Sequence, residues 1–190
     1  MIRIMLTEYQ YAYNQQDYAE YQSYLAKEAE DLILPFEEIK DCIKGITLLS
    51  AEEAENLLTK EQRKCKYNNK SCCWWLRSPG YRQSVAVYVY YDGSVDDVGY
   101  DVDCDDCVRP ALILSNLKSS NLKSIKELGV GDQFNFGGKI FTIISDKYAL
   151  CDEAISKMAF RKDWEAEDAN VYEKSDVKKF LDNWFRENYK

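Results

Sequence analysis

The chain has 190 residues, 46% of them hydrophobic and 31% charged, enough for one sizeable core and too apolar for wholesale disorder. It carries 25 basic against 33 acidic residues and no histidine. The net charge of −8 argues against a surface built to bind a nucleic-acid backbone, and the missing imidazole excludes Ser-His-Asp triads, Cys-His dyads and His-ligated metals.

No apolar run approaches the ~18 residues of a membrane span, and the opening MIRIMLTEYQ lacks the apolar stretch of a signal peptide. A cytoplasmic or virion-associated protein, without membrane contact, is the expectation. Seven cysteines in such a chain read as reduced, mostly buried thiols.

In chain order, the first block is 7–34. Tyr11, Tyr18, Leu25 and Leu32 recur every seven residues, which predicts a long amphipathic helix ending before Pro35. The plainer reading is a helix lying against its own domain, and the same spacing leaves homo-oligomerisation through it as the alternative. ITLLS (46–50) predicts a short strand, and Ser50 a cap for the helix AEEAENLL. EQRKCKYNNKS reads as a polar loop. CCWWLRSPG follows, with two adjacent indoles suited to a core and Pro79-Gly80 as a stop.

Residues 84–91 alternate, with Val85, Val87 and Val89 on one face and Ala86, Tyr88 and Tyr90 on the other, the pattern of a half-buried strand. Asp92-Gly93 supplies a hairpin turn. VRPALIL resumes an apolar strand, and 116–128 is a polar connector. GVGDQFNFGGKIFTIIS predicts a second hairpin around Gly137-Gly138, and YALC a short strand. SDVKKFLDNWFRENY predicts a helix with Val177, Phe180, Leu181, Trp184 and Phe185 on one face, capped by Ser175 or Asp176.

Acid is concentrated in one place. Residues 81–107 hold seven Asp, five Tyr and one Arg but no Lys or Glu, so −6 of the chain's −8 lies there. Valines turned in, with Tyr, Ser and Asp turned out, is the composition of an antibody-like binding face. A calcium site is a rival for the aspartates, although DDVGYDVDCDD lacks the ligand order of an EF-hand loop. Cys104 and Cys107 make a CxxC without a second pair to complete a zinc site, so a chance pair, or a disulfide in an exported chain, is the plainer reading.

LLSAEEAENLL, the spacing around Cys65, CWWLRSPG, DGSV and VRPALIL, in this order over 46–114, resemble a large group of bacterial and phage proteins with a C-type lectin fold. The group includes the variable proteins of diversity-generating retroelements and non-varying relatives. GDQFNFGGKIFTII, YALC and SDVKKFLDNWF also resemble part of that family, where they usually precede the tryptophan half, so the chain looks circularly permuted. The resemblance implies an α+β, C-type lectin-like fold with antiparallel hairpins, a long N-terminal helix and a C-terminal helix. It implies a helix at 1–35 and a lectin-like domain at 36–190, with permuted halves 36–115 and 129–190.

It also implies binding rather than catalysis, with no cofactor and no metal. In variable members, template adenines are miscopied, and Tyr, Asp, Ser and Cys each lie one adenine change from Asn codons. The display residues so implied are Tyr81, Arg82, Gln83, Ser84, Tyr88, Tyr90, Tyr91, Asp92, Asp96, Asp97, Tyr100, Asp101, Asp103, Cys104, Asp105 and Asp106. Trp74, Trp75, Leu76, Arg109 and Pro110 would be scaffold, and Arg77 and Arg109 would pair with buried acids or carbonyls. The expected partner is a macromolecule, foremost a protein with a basic patch. The alternative is a phage anti-defence inhibitor, such as an anti-CRISPR, whose acidic face imitates a nucleic acid. An enzyme resembling the formylglycine-generating relatives of the fold is disfavoured, because their surrounding motifs are absent.

Overall fold

The computed structural model describes residues 33–115 and 128–190, together with Ser23 and Leu117. The chain divides into two units, Met1–Leu34 and Pro35–Lys190. Of the first unit, Ser23 and strand β1 (Ile33–Leu34) are described. The helix expected over 7–34 therefore lies outside the described residues save for Ser23, which is helical, and its end, where Ile33 and Leu34 are extended. Most of the connector lies outside them as well.

The second unit contains helix α1 (Phe36–Ile39) and strand β2 (Ile43–Thr47), then helices α2 (Ala51–Leu57) and α3 (Lys60–Arg63). A small ribbon of β3 (Cys65–Tyr67) and β4 (Lys70–Cys72) follows. Next come β5 (Trp74–Pro79), β6 (Val85–Val89), β7 (Val95–Asp101), β8 (Asp105–Val108) and β9 (Ala111–Leu114). After the connector come β10 (Gln133–Phe136), β11 (Lys139–Ile143), β12 (Tyr148–Cys151), β13 (Ser156–Ala159) and helix α4 (Asp176–Asn188).

This overturns the expected fold class. Strands take 38% of the described residues and helices 24%, and α4 is the one helix longer than seven residues among them. The unit is mostly β, and a C-type lectin-like fold with long helices does not describe it. The C-terminal helix is where the sequence places it, and the difference lies in short strands such as β3, β4 and β13, which carry no periodic signal. EQRKCKYNNKS, read as a loop, holds α3 and the β3–β4 ribbon. Its turn places Asn68 and Asn69 at φ +51° and +64°, the left-handed region that a tight hairpin turn requires and Asn tolerates.

Besides the β3–β4 ribbon, the unit holds two larger sheets. In the first, β10, β11, β12, β9 and β2 lie side by side, all antiparallel. Phe134 faces Phe141 across β10 and β11, and the Gly137-Gly138 turn between these strands is left-handed at both residues. Helix α4 covers this aromatic side. Trp184 lies 5.4 Å from Phe136, and Phe185 lies 5.7 Å from the same ring. Ser175 caps α4 by accepting from the Lys178 N–H at 2.9 Å.

The second sheet runs β13-β8-β5-β6-β7. Trp74 and Trp75, adjacent on β5 and both fully buried, point to its opposite faces. Trp74 packs with Leu49, Ala54, Val87, Val89, Cys107 and Leu150, a cluster that draws α2 and both sheets into one core. Trp75 packs on the other side against Phe160, Tyr88 and Tyr100. With both faces covered, β6 is buried at every position from Val85 to Val89. The half-buried strand expected there is corrected, because alternation in sequence gives no sign that Trp75 and Tyr100 enclose the Tyr88 ring.

The scaffold arginines answer the question left open by the sequence. Arg77 pairs with an acid: its guanidinium donates to both carboxylate oxygens of Glu53, with the second bond at 2.6 Å, and to the Leu48 carbonyl at 2.7 Å. Arg109 pairs with carbonyls. Buried, with its guanidinium 5.3 Å from the Trp74 ring, it donates to the Cys151 carbonyl at 2.8 Å and the Gln62 carbonyl at 2.9 Å.

Candidate recognition face

The Trp75 side of the second sheet opens towards solvent along a series of aromatic rings. Trp75 and Phe160 form its buried base, with ring centroids 5.7 Å apart. Tyr88 sits above, 6.4 Å from Trp75 and 5.6 Å from Tyr100. Tyr90 is 6.2 Å from Tyr88, and Tyr91 is 4.3 Å from Tyr90. Exposure rises in the same direction, from 0% at Trp75 through 8% at Tyr88 to 40% at Tyr90 and 52% at Tyr91. Burial, with Asp96 opposite on β7 adding to it, holds the Tyr88 phenol above its usual range. Beside it on β7, Val98 and Tyr100 are exposed.

The turn that carries Tyr90 and Tyr91 is pinned from beneath. Gly93 adopts φ +88°, and a Cβ there would lie 2.1 Å from the Lys60 carbonyl oxygen. Arg63 donates to the Gly93 carbonyl at 2.8 Å, and Lys60 pairs with Asp92 at 2.8 Å. Asp92 also accepts from the Ser94 N–H and hydroxyl, and these bonds, led by Lys60, hold its carboxyl well below the usual range.

The loop at 81–84 forms the other border. Tyr81 is 66% exposed, with the Arg82 guanidinium 5.4 Å from its ring centroid. Gln83 donates to the Ala166 carbonyl, and the Asn170 amide donates to the Arg82 carbonyl. Between these segments lies an open groove of about 570 Å³, lined by Arg82, Gln83, Ser84, Trp164 and Glu165. Nothing in the sequence singled out Trp164. A lone indole in the polar run KDWEAED gave no periodic signal, and only the fold brings it beside residue 82.

The residues named from sequence separate into three groups. Tyr81, Arg82, Gln83, Tyr90, Tyr91, Asp97, Tyr100, Asp101, Asp103 and Asp105 are exposed. Ser84, Asp92, Asp96 and Cys104 are half-buried. Tyr88 and Asp106 are buried, so their side chains support the face rather than form it. Several aspartates have local duties. Asp96 accepts from the Val98 and Gly99 N–H groups, and Asp101 pairs with Arg82 at 3.0 Å. Asp106 accepts from the Cys107 N–H at 3.0 Å, yet burial pushes its carboxyl up to about 6. Asp97, Asp103 and Asp105 remain facing solvent.

Among the described residues, no three Cys, Asp or Glu side chains come together in a way that could hold a metal ion. The CxxC is also divided. Cys104 lies against the Tyr100 hydroxyl, whereas Cys107 belongs to the Trp74 core on the opposite face.

Residues 33–116 match a family model described as Domain of unknown function (DUF6273). That span holds the capped helix α2, the paired tryptophans, the whole Tyr/Asp segment and Arg109. No curated protein and no solved structure matches the chain. No helix among the described residues is long and apolar enough to cross a membrane.

Proposed function

We propose that this chain is a non-enzymatic binding protein whose 81–107 segment recognises a macromolecule, foremost a protein with a basic patch. The observation that carries the reading is the aromatic series rising from buried Trp75 to exposed Tyr90 and Tyr91, bordered by exposed Tyr81, Tyr100, Asp97, Asp103 and Asp105. Tyrosines on a rigid sheet offer large contact area at low entropic cost, and nearby carboxylates select cationic partners and speed encounter. The anti-defence reading, in which the acid imitates a nucleic-acid backbone, draws less support. Asp92, Asp96, Asp101 and Asp106 are engaged locally, leaving three solvent-facing carboxylates in the segment.

The test uses immobilised chain and an arginine-rich peptide containing tryptophan as the probe, titrated at low and high salt. Two variants are compared: Tyr90→Ser with Tyr91→Ser, which alters the face at constant charge, and Glu52→Lys with Glu55→Lys on α2, which alters charge elsewhere. The reading expects a loss of roughly tenfold or more for the first and little change for the second, with binding weakened by salt. If the α2 variant weakens binding as much as the tyrosine variant, attraction is to bulk charge and the face has no special role.

A further inference from the structure

A second cluster lies outside the aromatic face. Cys65 and Cys72 are directly opposed at the open end of the β3–β4 ribbon. Opposed residues of an antiparallel pair have Cα atoms roughly 4.5–5.5 Å apart, within the ~4.4–6.8 Å that a disulfide spans. The two thiols are in contact, and the Cys72 thiol also contacts Cys107, which reaches it from β8 through the parallel pairing of Cys107 with Trp74. Cys65 and Cys107 are buried and Cys72 is half-buried, so Cys72 is the member open to a solute. The CxxC of the sequence is not this pair, since Cys104 lies on the other face of the sheet.

We propose that Cys65 and Cys72 form a reversible cross-strand disulfide, with Cys107 as a third thiol able to exchange into it. The oxidant class is a hydroperoxide. The Cys72 sulfur takes the terminal peroxide oxygen to become a sulfenic acid, the O–O bond breaks, and hydrogen peroxide leaves as water. The Cys65 sulfur then attacks the Cys72 sulfur. The S–S bond forms, the S–O bond breaks, and hydroxide leaves with the Cys65 proton as a second water. In exchange, the Cys107 sulfur attacks Cys72, the Cys65–Cys72 bond breaks, and the Cys107 proton passes to Cys65, with no net oxidation. An external dithiol reverses the oxidation, becoming a disulfide itself.

Contact with Cys107 and burial raise the Cys72 thiol to about 12, and contact with Cys72 followed by burial raises Cys65 further. The thiolate is the reactive form, so the pair resists oxidation at neutral pH and reacts roughly tenfold faster per pH unit above it.

The experiment treats the full chain with hydrogen peroxide at pH 7 and pH 9, alkylates the remaining thiols, and maps linked peptides by mass spectrometry. The expected result is loss of two of the seven alkylatable thiols, a Cys65–Cys72 link, faster at pH 9, and full recovery with dithiothreitol. Cys107→Ser should retain that link, and Cys65→Ser should divert it to Cys72–Cys107. The Cys107 variant keeps the Cys65–Cys72 pair testable should the Cys65 variant fail to fold. A link mapped to Cys104–Cys107, or seven thiols still alkylatable after oxidation at pH 9, overturns the proposal.

Discussion

Tyr90 and Tyr91 are neighbours in the chain whose rings lie 4.3 Å apart, tilted by 41°. In an extended strand they would point to opposite faces. Strand β6 ends at Val89, and the chain turns at once, which lets the two rings meet. Their neighbour Tyr88, two residues before Tyr90, is inside. Replacing Tyr90 and Tyr91 by Ala should leave the thermal midpoint within about two degrees of the parent, as surface changes usually do. Tyr88→Ala should cost about 3–4 kcal/mol, the range for removing a buried aromatic ring. Thermal scans of the two variants check this, and equal losses would place all three rings in the core.

Glu53 closes a ring of bonds at the start of α2. It accepts from the Ser50 N–H at 2.8 Å while the Ser50 hydroxyl accepts from the Glu53 N–H, and it takes Arg77 and the Tyr148 hydroxyl besides. Burial alone would raise its carboxyl, but these donors outweigh burial and hold it at about 2. A lowered folded value means that the stabilisation is complete above the unfolded value near 4.5 and is lost as pH falls towards 2. Glu53→Gln should therefore cost about 2–3 kcal/mol at pH 7 and flatten the acid limb of the stability curve. Denaturant unfolding between pH 7 and pH 3 reads both effects.

Asp106 has the opposite sign. Its carboxyl is pushed up to about 6 by burial, against the pull of the Cys107 N–H and Lys157. The folded chain thus holds this proton more tightly than the unfolded chain does, and stability declines as pH rises from about 4 to 6. Asp106→Asn keeps the acceptor for the Cys107 N–H and removes the buried charge. It should stabilise by about 1–3 kcal/mol at pH 7 and leave stability at pH 4 nearly unchanged. A variant less stable than the parent at pH 7 would mean that the charge has a partner that matters more than its burial.

Legibility from sequence followed the range of the interaction. The Ser50 cap, the Asp92-Gly93 and Gly137-Gly138 turns and the α4 face rest on neighbours a few residues apart, and all are found. The burial of Trp74 and Trp75 was also readable, because so much apolar surface has few other places to go. Contacts across long separations were not. Tyr88 belongs to the interior because the rings of Trp75 and Tyr100, on the strands to either side, flank its own. The duties of Asp92 and Asp101 depend on Lys60 and Arg82, and no local pattern announces either pair. The acidic composition of 81–107 was plain, but composition cannot separate the carboxylates that brace a turn from those that face water.

The anchoring of Gly93 beneath Lys60 and Arg63 has an evolutionary corollary. Copies of this gene that diverge can exchange side chains at 81, 97 and 103 one at a time, because nothing beneath them must adjust. At 92 and 93 they cannot, since any new residue there meets the α3 backbone or abandons a basic partner. Positions 60, 63, 92 and 93 should therefore be inherited as a block, and a gene family aligned over this stretch should keep them together while the tyrosines around them drift.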